Sequence, residues 1–564
     1  MSEDRLPAPE LAPGRPNLVL AGFSATGKTS AGAQAAARLA LPFLDLDQVA
    51  ARRLGLAIPD AFRTLGEARF REVEAELLRG AIRLSGTVIA VGGGAVLQPD
   101  LARLGEAAVT LVLTAAPDEI ERRLGDASSR PLLADAPTQR IGELLTERGP
   151  AYAAFGPSLD TCGKAVAEVA ALIADRYLSQ VERKTSNLTV QGPQGSYPVF
   201  VGESCLGQIE ELLSLQLARV ARVVVVSDQA VADSAGALVA QQLRAEGRDV
   251  VEVSVGSGEQ SKRLQAVSDL WDRFQELAID RGDLIVAVGG GASLDTVGFA
   301  AATWLRGIPW ITIPTTILAM VDAAIGGKVA IDRAGAKNSV GAFHHPKAVI
   351  ADPAVLATLP PRVARDGLAE VVKSAVLASP LMFDAMALAP GDGTALPGHL
   401  DWMIEQAVRI KAAYVGADPD DQGVRQSLNL GHTFAHGVET ASDFAIPHGR
   451  AVAVGLLAAA KLGGSLRLSP AEIPAQLRQA LSAVGLLEPL PWLDRDRIRS
   501  ALLLDKKRRA GVPSFVVPAP GGAVLVTGLD PEIALEPLWE VLSELGTRRG
   551  QSEETPTGVA GMSL

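Results

Sequence analysis

The feature that most constrains this chain is the loop Gly22-Phe-Ser-Ala-Thr-Gly27-Lys28-Thr29, set between the apolar run Asn17–Ala21 and an Ala-rich stretch. It matches GxxxxGK[ST] in full, and the pattern requires a strand before it and a helix after it. Glycines let backbone N–H groups turn inward around phosphate oxygens, and the helix N-terminus adds its positive end. Gly22, Ser24, Ala25, Thr26, Gly27 and Ser30 are therefore candidate nucleotide-cradle residues. Lys28 would reach the outer phosphates, and Thr29 would offer a hydroxyl to Mg²⁺. A chance match in a chain with 56 glycines is the competing reading, and the flanking strand and helix patterns argue against it.

Apolar runs at Val88–Val91 and Val109–Leu113 alternate with helical segments, which predicts a parallel sheet covered by helices, closing near Tyr177. The polar segment Ser179–Asn187 reads as a linker. Strand candidates resume within Leu188–Val201 and at Val223–Ser227, Val250–Val255, Leu284–Val288, Trp310–Ile313 and Ala348–Ala351, with helical patterns between them. From about Pro353 helical patterns dominate to Gly546. The expected class is α/β: an N-terminal P-loop domain with a parallel sheet, a Rossmann-like α/β domain, then an all-helical domain. The expected boundaries are a disordered lead 1–15, a P-loop domain 16–178, a linker 179–187, an α/β domain 188–352, a helical domain 353–546 and a disordered tail 547–564.

With 564 residues, 48% hydrophobic and 21% charged, the chain can bury several cores, which excludes a largely disordered protein. A net charge of −11 gives no overall basic field, so no nucleic-acid or membrane partner is expected. Cys162 and Cys205 are the only cysteines, so no disulfide framework or cysteine zinc motif exists and a reducing compartment fits. The polar, Pro-rich start lacks the apolar core of a secretion signal, and the run Ala451–Ala460 is too short to span a bilayer. The expected location is the cytoplasm.

Further motifs follow the P-loop in order. Asp45-Leu-Asp47 ends an apolar run, placing two carboxylates on one side of a strand terminus. Gly66-Glu67-Ala-Arg-Phe-Arg71, the triplet Gly92, Gly93, Gly94, then Arg130-Pro-Leu-Leu and Arg148-Gly-Pro-Ala-Tyr152 complete the set. Singly each has a bland reading: a helix cap, a turn, a solvated arginine. Their order and spacing resemble shikimate kinase over residues 14–178. The resemblance implies that Asp47, Arg71, Gly92–Gly94 and Arg148 hold shikimate, the arginines gripping its carboxylate through their guanidinium forks. It implies that Asp47 orients or deprotonates the acceptor hydroxyl and that Asp45 joins Thr29 at Mg²⁺. It also puts Arg130 on a mobile lid over ATP and Arg123 near the adenine. The departure is mild: Thr29 stands where serine is commoner.

The chain has six histidines, three of them within Asn429–His448. Leu428-Asn429-Leu-Gly-His432-Thr-Phe-Ala-His436 puts two imidazoles at i and i+4 on one helix face, and His448 adds a third from a loop. Helix-borne histidine pairs are often structural. Glu370 and, one turn later, Lys373 add a carboxylate and an ammonium, and one Glu with two His is the donor set of an open, catalytic metal site. Upstream, Val288-Gly289-Gly290-Gly291 continues to Asp295 and reads as strand, glycine loop and helix, weak evidence for a dinucleotide on its own. Glu259 and Lys262 after another strand, and Asp228 after VVVVS where a ribose-binding carboxylate fits, strengthen it. Pro314-Thr315-Thr316, then Asp322 through Gly326-Gly327-Lys328, and Lys337-Asn338 come next.

Together VGGG, PTT, VDAAIGGK, AKNSVGAF, GLAEVVK and LNLGHTFAH resemble 3-dehydroquinate synthase across about 186–545. That resemblance implies Zn²⁺ (or Co²⁺) on Glu370, His432 and His448. It implies bound NAD⁺ at Asp228, Glu259, Lys262, Gly290, Gly291, Asp295, Thr315 and Thr316, with Asp322, Lys328 and Lys337. A heptulosonate 7-phosphate would meet Arg306, Asp322, Lys328, Asn338, Lys373, Lys411, Arg425, Asn429 and Lys506, with His436 beside the phosphate path. Lys328, Lys373, Lys411, Arg425 and His436 are the catalytic candidates of this half, as Lys28, Asp47 and Arg130 are of the first. The implied chemistry oxidises a ring hydroxyl, which acidifies the neighbouring carbon for phosphate loss. The hydride then returns, the ring opens, and an aldol closes a carbocycle. A homodimer through this part is also implied. Two departures stand out: Arg450 where the family usually has Glu, and Ala292-Ser293-Leu294 where aliphatic residues then Gly are commoner. The rivals are a metal-dependent polyol dehydrogenase for the second half and a non-catalytic tethering module for the first.

Overall fold

The computed structural model describes residues 1–124, 137–181, 186–193, 195–214, 218, 220–333, 336–386, 398–504 and 513–548. The chain opens with strand β1 (Ser2–Pro7) and enters its first α/β unit at β2 (Asn17–Gly22). There follow α1 (Lys28–Leu39), β3 (Phe43–Asp45), α2 (Leu46–Leu54), α3 (Ile58–Ile82), β4 (Val88–Ala90), β5 (Ala108–Thr114) and β6 (Ser158–Asp160). Among the described residues these strands form one parallel sheet in the order β3-β4-β2-β5-β6. Every residue of β2 is buried, which is why it reads as a continuous apolar run and not an alternation. Ala31, Ala35 and Ala36 of α1 pack with Val169, Ile173 and Tyr177 of the helix Val166–Leu178 over one face.

The second unit contains β7 (Ser186–Val190), β8 (Tyr197–Val201), β9 (Val223–Asp228), β10 (Val250–Val255) and β11 (Leu284–Gly289), followed by helix α4 (Gly291–Thr303). It continues with β12 (Trp310–Pro314), a hairpin of β13 (Lys328–Arg333) and β14 (Ala336–Phe343), and β15 (Val349–Ala351). Its sheet runs β10-β9-β11-β12-β15-β8-β7, parallel except for the last pair. The glycine triplet lies at the carboxyl end of β11, where open parallel sheets receive ligands.

The helical part is built around α5 (Pro361–Ala378), α6 (Leu400–Ala417), α7 (His432–Ala441) and α8 (His448–Ser465). The run Ala451–Ala460 is buried from end to end, so its apolarity makes a core helix. Among the described residues no helix is long and apolar enough to cross a membrane. In addition to the expected helices, β16 (Phe515–Ala519) and β17 (Gly522–Thr527) form a hairpin.

That hairpin overturns the expectation of a disordered lead. β1 adds to β17 antiparallel, from Ser2 opposite Thr527 to Pro7 opposite Gly522, and Leu6 is buried. A charged, Pro-rich segment has little local order of its own, but the free edge of β17 supplies backbone partners that local sequence cannot announce. Of the expected linker, residues 182–185 lie outside the described residues, and β7 already begins at Ser186. Of the expected tail, Thr547–Arg548 pairs with Leu490–Pro491, and 549–564 lie outside the described residues.

Candidate active sites

In the first unit the strand ends deliver the polar groups. Asp45, the last residue of β3, caps α2: its Oδ1 accepts the N–H groups of Asp47 (3.0 Å) and Gln48 (3.2 Å). Its Oδ2 accepts the Thr29 hydroxyl at 2.6 Å, so the two Mg²⁺ candidates are neighbours. Lys28 Nζ folds over the loop and donates to the carbonyls of Gly22 (2.8 Å) and Phe23 (2.7 Å). Thr26 Oγ1 donates to the Phe23 carbonyl at 2.9 Å, and Gly27 caps α1. Arg123 donates to the carbonyls of Ala25 (3.4 Å) and Thr161 (2.7 Å), beside the loop.

The acceptor candidates converge on the triplet Gly92–Gly94. A Cβ on Gly92 would lie 2.5 Å from Asp47 Oδ1, and one on Gly94 would lie 2.7 Å from the Arg71 guanidinium nitrogens. The Gly93 carbonyl accepts from Arg148 Nη1 (3.0 Å) and the Tyr152 hydroxyl (2.7 Å). A Cβ on Gly93 would come within 3.5 Å of the Ser24 amide nitrogen, so the triplet abuts the P-loop. α3 changes direction at Gly66, and Arg71 lies on the segment after that kink. Buried Glu74, which sequence reasoning missed, pairs with Arg71 at 2.7 Å and meets Gln98 Nε2 at 3.5 Å. Its i+3 spacing from Arg71 was the available signal. Arg130 lies outside the described residues.

In the second unit Gly290 caps α4, and the Thr315 N–H donates to the Gly289 carbonyl at 2.9 Å. Thr316 Oγ1 accepts from the Ala319 N–H at 3.1 Å. Lys262 Nζ pairs with Asp295 at 2.7 Å and also donates to Asn338 Oδ1, while Lys337 pairs with Glu259 at 3.1 Å. Asn338 thus adjoins the dinucleotide candidates Lys262 and Asp295. Buried Asp228 accepts from Ala230 N–H (2.9 Å), Ser293 Oγ (2.5 Å) and Ser257 Oγ. The unusual Ser293 therefore has a partner: it ties the glycine loop to the carboxylate at the end of β9.

Lys411 on α6 pairs with Asp322 at 2.6 Å. Partial burial pushes the Asp322 carboxyl up, but Lys411 and Lys373 outweigh it and hold it at about 2. Lys328 pairs with Asp421 at 2.6 Å. Buried Arg425 donates to the carbonyls of Pro419 (2.7 Å) and Gly326 (3.1 Å), which gives it a structural task within the chain. Asn429 ends a 3-10 turn, three residues before His432. Within its own chain Arg306 follows the C-terminal end of α4, about 20 Å of helix from the glycine triplet. The preceding Leu305 carbonyl is held by Arg281, which precedes β11, so Arg306 lies at the opposite edge of the sheet. Lys506 lies outside the described residues.

Glu370, His432 and His448 each offer one atom within 4.8 Å of the others. The Nε2 atoms of His432 and His448 face Glu370 Oε1 at 3.4 Å and 3.6 Å, and Lys373 lies against Oε2. The other ring nitrogens are turned away, to the Leu430 carbonyl (3.2 Å) and to Glu439 (3.3 Å). Both Glu370 oxygens are buried without a well-formed hydrogen bond. This donor set, with outer partners orienting each imidazole, fits a divalent cation. Glycine makes the approach possible: a Cβ on Gly449 would lie 1.8 Å from the Asp366 carbonyl of α5. His436 stands edge-on to His432, with ring centroids 5.9 Å apart, outside the three-residue set. Arg450 points away from the cluster, to the carbonyls of Glu488 (2.9 Å) and Pro489 (3.3 Å). Nearby Glu439 pairs with His448 and Asp443 with Arg497.

Residues 24–178 match the family model described as shikimate kinase. Residues 252–366 and 367–508 match those described as 3-dehydroquinate synthase N-terminal and C-terminal. A 3-dehydroquinate synthase of Thermobifida fusca is 39% identical over 333 residues, 59% of this chain and 89% of that protein. A 2-epi-valiolone synthase of Actinosynnema mirum is 41% identical over 311 residues, 54% of this chain and 81% of that protein. A crystal structure of 2-deoxy-scyllo-inosose synthase complexed with carbaglucose-6-phosphate, NAD⁺ and Co²⁺ matches with a TM-score of 0.56 at 25% identity, covering 63% of this chain and 99% of that one.

Proposed function

Since this chain belongs to the 3-dehydroquinate synthase family and carries a shikimate kinase family domain ahead of it, we propose that it is a bifunctional enzyme. Its first half phosphorylates shikimate with ATP. Its second half converts 3-deoxy-D-arabino-heptulosonate 7-phosphate to 3-dehydroquinate with release of phosphate. The observation that carries the reading is the pair of assembled sites: Asp47, Arg71 and Arg148 around one glycine triplet beside a P-loop, and Glu370, His432 and His448 within reach of one ion.

In the kinase half, Arg71 and Arg148 bind the shikimate carboxylate and Asp47 orients the hydroxyl and accepts its proton. Lys28 leaves its loop carbonyls to neutralise the transferring phosphate. Mg²⁺ held by Thr29 and Asp45 supplies further charge neutralisation when bound. In the synthase half, Zn²⁺ or Co²⁺ held by Glu370, His432 and His448 supplies Lewis acidity toward a substrate oxygen. NAD⁺ along Gly290, Gly291 and Asp295 supplies a hydride acceptor that is regenerated within the cycle. Lys373 and Lys411 bind substrate oxyanions, and His436 holds a proton near the departing phosphate. We further read the enzyme as a cytoplasmic homodimer, divided at 16–178, 188–352 and 353–546, with residues 2–7 joining the last part.

The test uses the purified full chain in two assays. Heptulosonate 7-phosphate with NAD⁺ and Zn²⁺ should release phosphate and form a carboxylated carbocycle without net NADH. Shikimate with ATP and Mg²⁺ should release ADP and form a shikimate phosphate. Net NADH accumulation would instead indicate the polyol dehydrogenase reading. Formation of 2-epi-valiolone in place of 3-dehydroquinate would indicate the activity printed for the Actinosynnema relative. A first half that binds shikimate and ATP without transfer would indicate a tether.

A further inference from the structure

The two halves share a continuous core, and α6 is where they meet. Leu77, Leu78 and Ala81 of α3 belong to the same apolar cluster as Met382 and Trp402. On α6, Trp402 Nε1 (2.7 Å) and Gln406 Nε2 (3.1 Å) donate to the Ser85 carbonyl. Arg409 donates to the carbonyls of Ala12 (2.7 Å) and Arg83 (3.1 Å), and Glu405 pairs with Arg15 at 2.8 Å. Trp402, Glu405, Gln406 and Arg409 are all at most 4% exposed. Elsewhere on the interface, Ser379 Oγ donates to the Gly80 carbonyl at 3.2 Å and Arg52 pairs with Asp384 at 3.0 Å. Half a turn beyond Arg409, the same helix presents Lys411 to Asp322.

The first residues close the arrangement from the other side. After pairing with β17, the lead passes α6 at Ala12 and Arg15 before it enters β2. A synthase half by itself would leave the Arg409 guanidinium and the Trp402 indole without the carbonyls that satisfy them, and a buried unpaired polar group is costly. The amino-terminal part of α6 is therefore a surface made for the kinase half.

We infer that the lead and the kinase half together are a structural part of the synthase: residues 8–16 and 80–86 seat α6 and so position Lys411 against Asp322. The synthase then needs the kinase fold but not the kinase chemistry. Arg15, Ser85 and Trp402 are positioning residues, touching neither substrate. Only the kinetic arm of the test rests on the synthase reading.

The experiment places a protease site in segment 182–185 of the full chain and cuts it. The wild-type halves should co-elute on size exclusion at micromolar concentration, and halves that part overturn the inference. In the uncut chain, Arg15→Glu should raise the KM for heptulosonate 7-phosphate about threefold to tenfold with kcat within about twofold. The KM values for ATP and shikimate should stay unchanged, and Arg15→Glu with Glu405→Arg should restore the synthase KM. A synthase KM unmoved by Arg15→Glu overturns the inference as well. If that variant does not fold, Arg15→Gln repeats the same measurement with a neutral side chain, read in the same way. Absence of synthase turnover in the uncut wild type would count against the functional reading, while co-elution would still decide the interface.

Discussion

His448 places Nδ1 3.3 Å from Glu439 Oε1, which leaves its Nε2 facing Glu370 Oε1 at 3.6 Å. Glu439 is buried, and the same oxygen lies 3.7 Å from Lys337, which itself pairs with Glu259 in the dinucleotide region. A carboxylate behind a ligating imidazole sets its orientation and raises its basicity. Glu439→Gln should therefore weaken Zn²⁺ affinity by about 10- to 100-fold, read by chelator competition, while saturating Zn²⁺ still gives one ion per chain. Unchanged affinity would make Glu439 a packing residue.

The ligand set itself is tested by metal content. His432→Ala and His448→Ala should lose both the metal and synthase turnover. His436→Ala should keep the metal and lose rate, because its ring lies beside His432 but outside the set. A metal-free His436→Ala protein, or a fully loaded His448→Ala protein, would overturn the assignment.

The two chemistries should separate by mutation even though the two folds are packed together. Lys28→Met removes the charge destined for the transferring phosphate and should abolish phosphorylation of shikimate. Synthase kcat and KM should stay within about twofold, since Lys28 folds over its own loop, onto the carbonyls of Gly22 and Phe23. Parallel loss of both activities in a folded protein would contradict this.

Arg71→Ala and Arg148→Ala should weaken shikimate binding more than ATP binding. The expected loss is about 2–5 kcal/mol for buried Arg148 and smaller for partly exposed Arg71, because each removes a carboxylate partner. For Arg71 part of that cost is Glu74, left buried without its guanidinium partner. Calorimetric titration with each ligand measures the difference. An equal loss for both ligands would make the arginines part of the nucleotide site.

Local pattern was enough for the alternation of strands and helices, the P-loop between β2 and α1, and the glycine triplets after β4 and β11. Each depends on backbone requirements that neighbouring residues express: burial on both faces for β2, tight turns for the glycines. The donors Glu370, His432 and His448 could be named from the resemblance, since residue types alone left three histidines to choose from. Glu74 behind Arg71, Glu439 behind His448 and Ser293 on Asp228 could not, since their roles depend on which side chain a distant element turns toward them. Helix length, not motif order, decides which edge of its own sheet a residue such as Arg306 reaches. The lead is the clearest case. Its residues show no strand period of their own, and they become β1 only because β17 offers an unpaired edge more than 500 residues away. Residues on α6 such as Trp402 and Arg409 likewise read as an ordinary helix until the kinase half covers them. Sequence determines what a segment can do with its immediate neighbours. Hydrogen-bond partners and burial supplied across long loops exist only once the chain has folded.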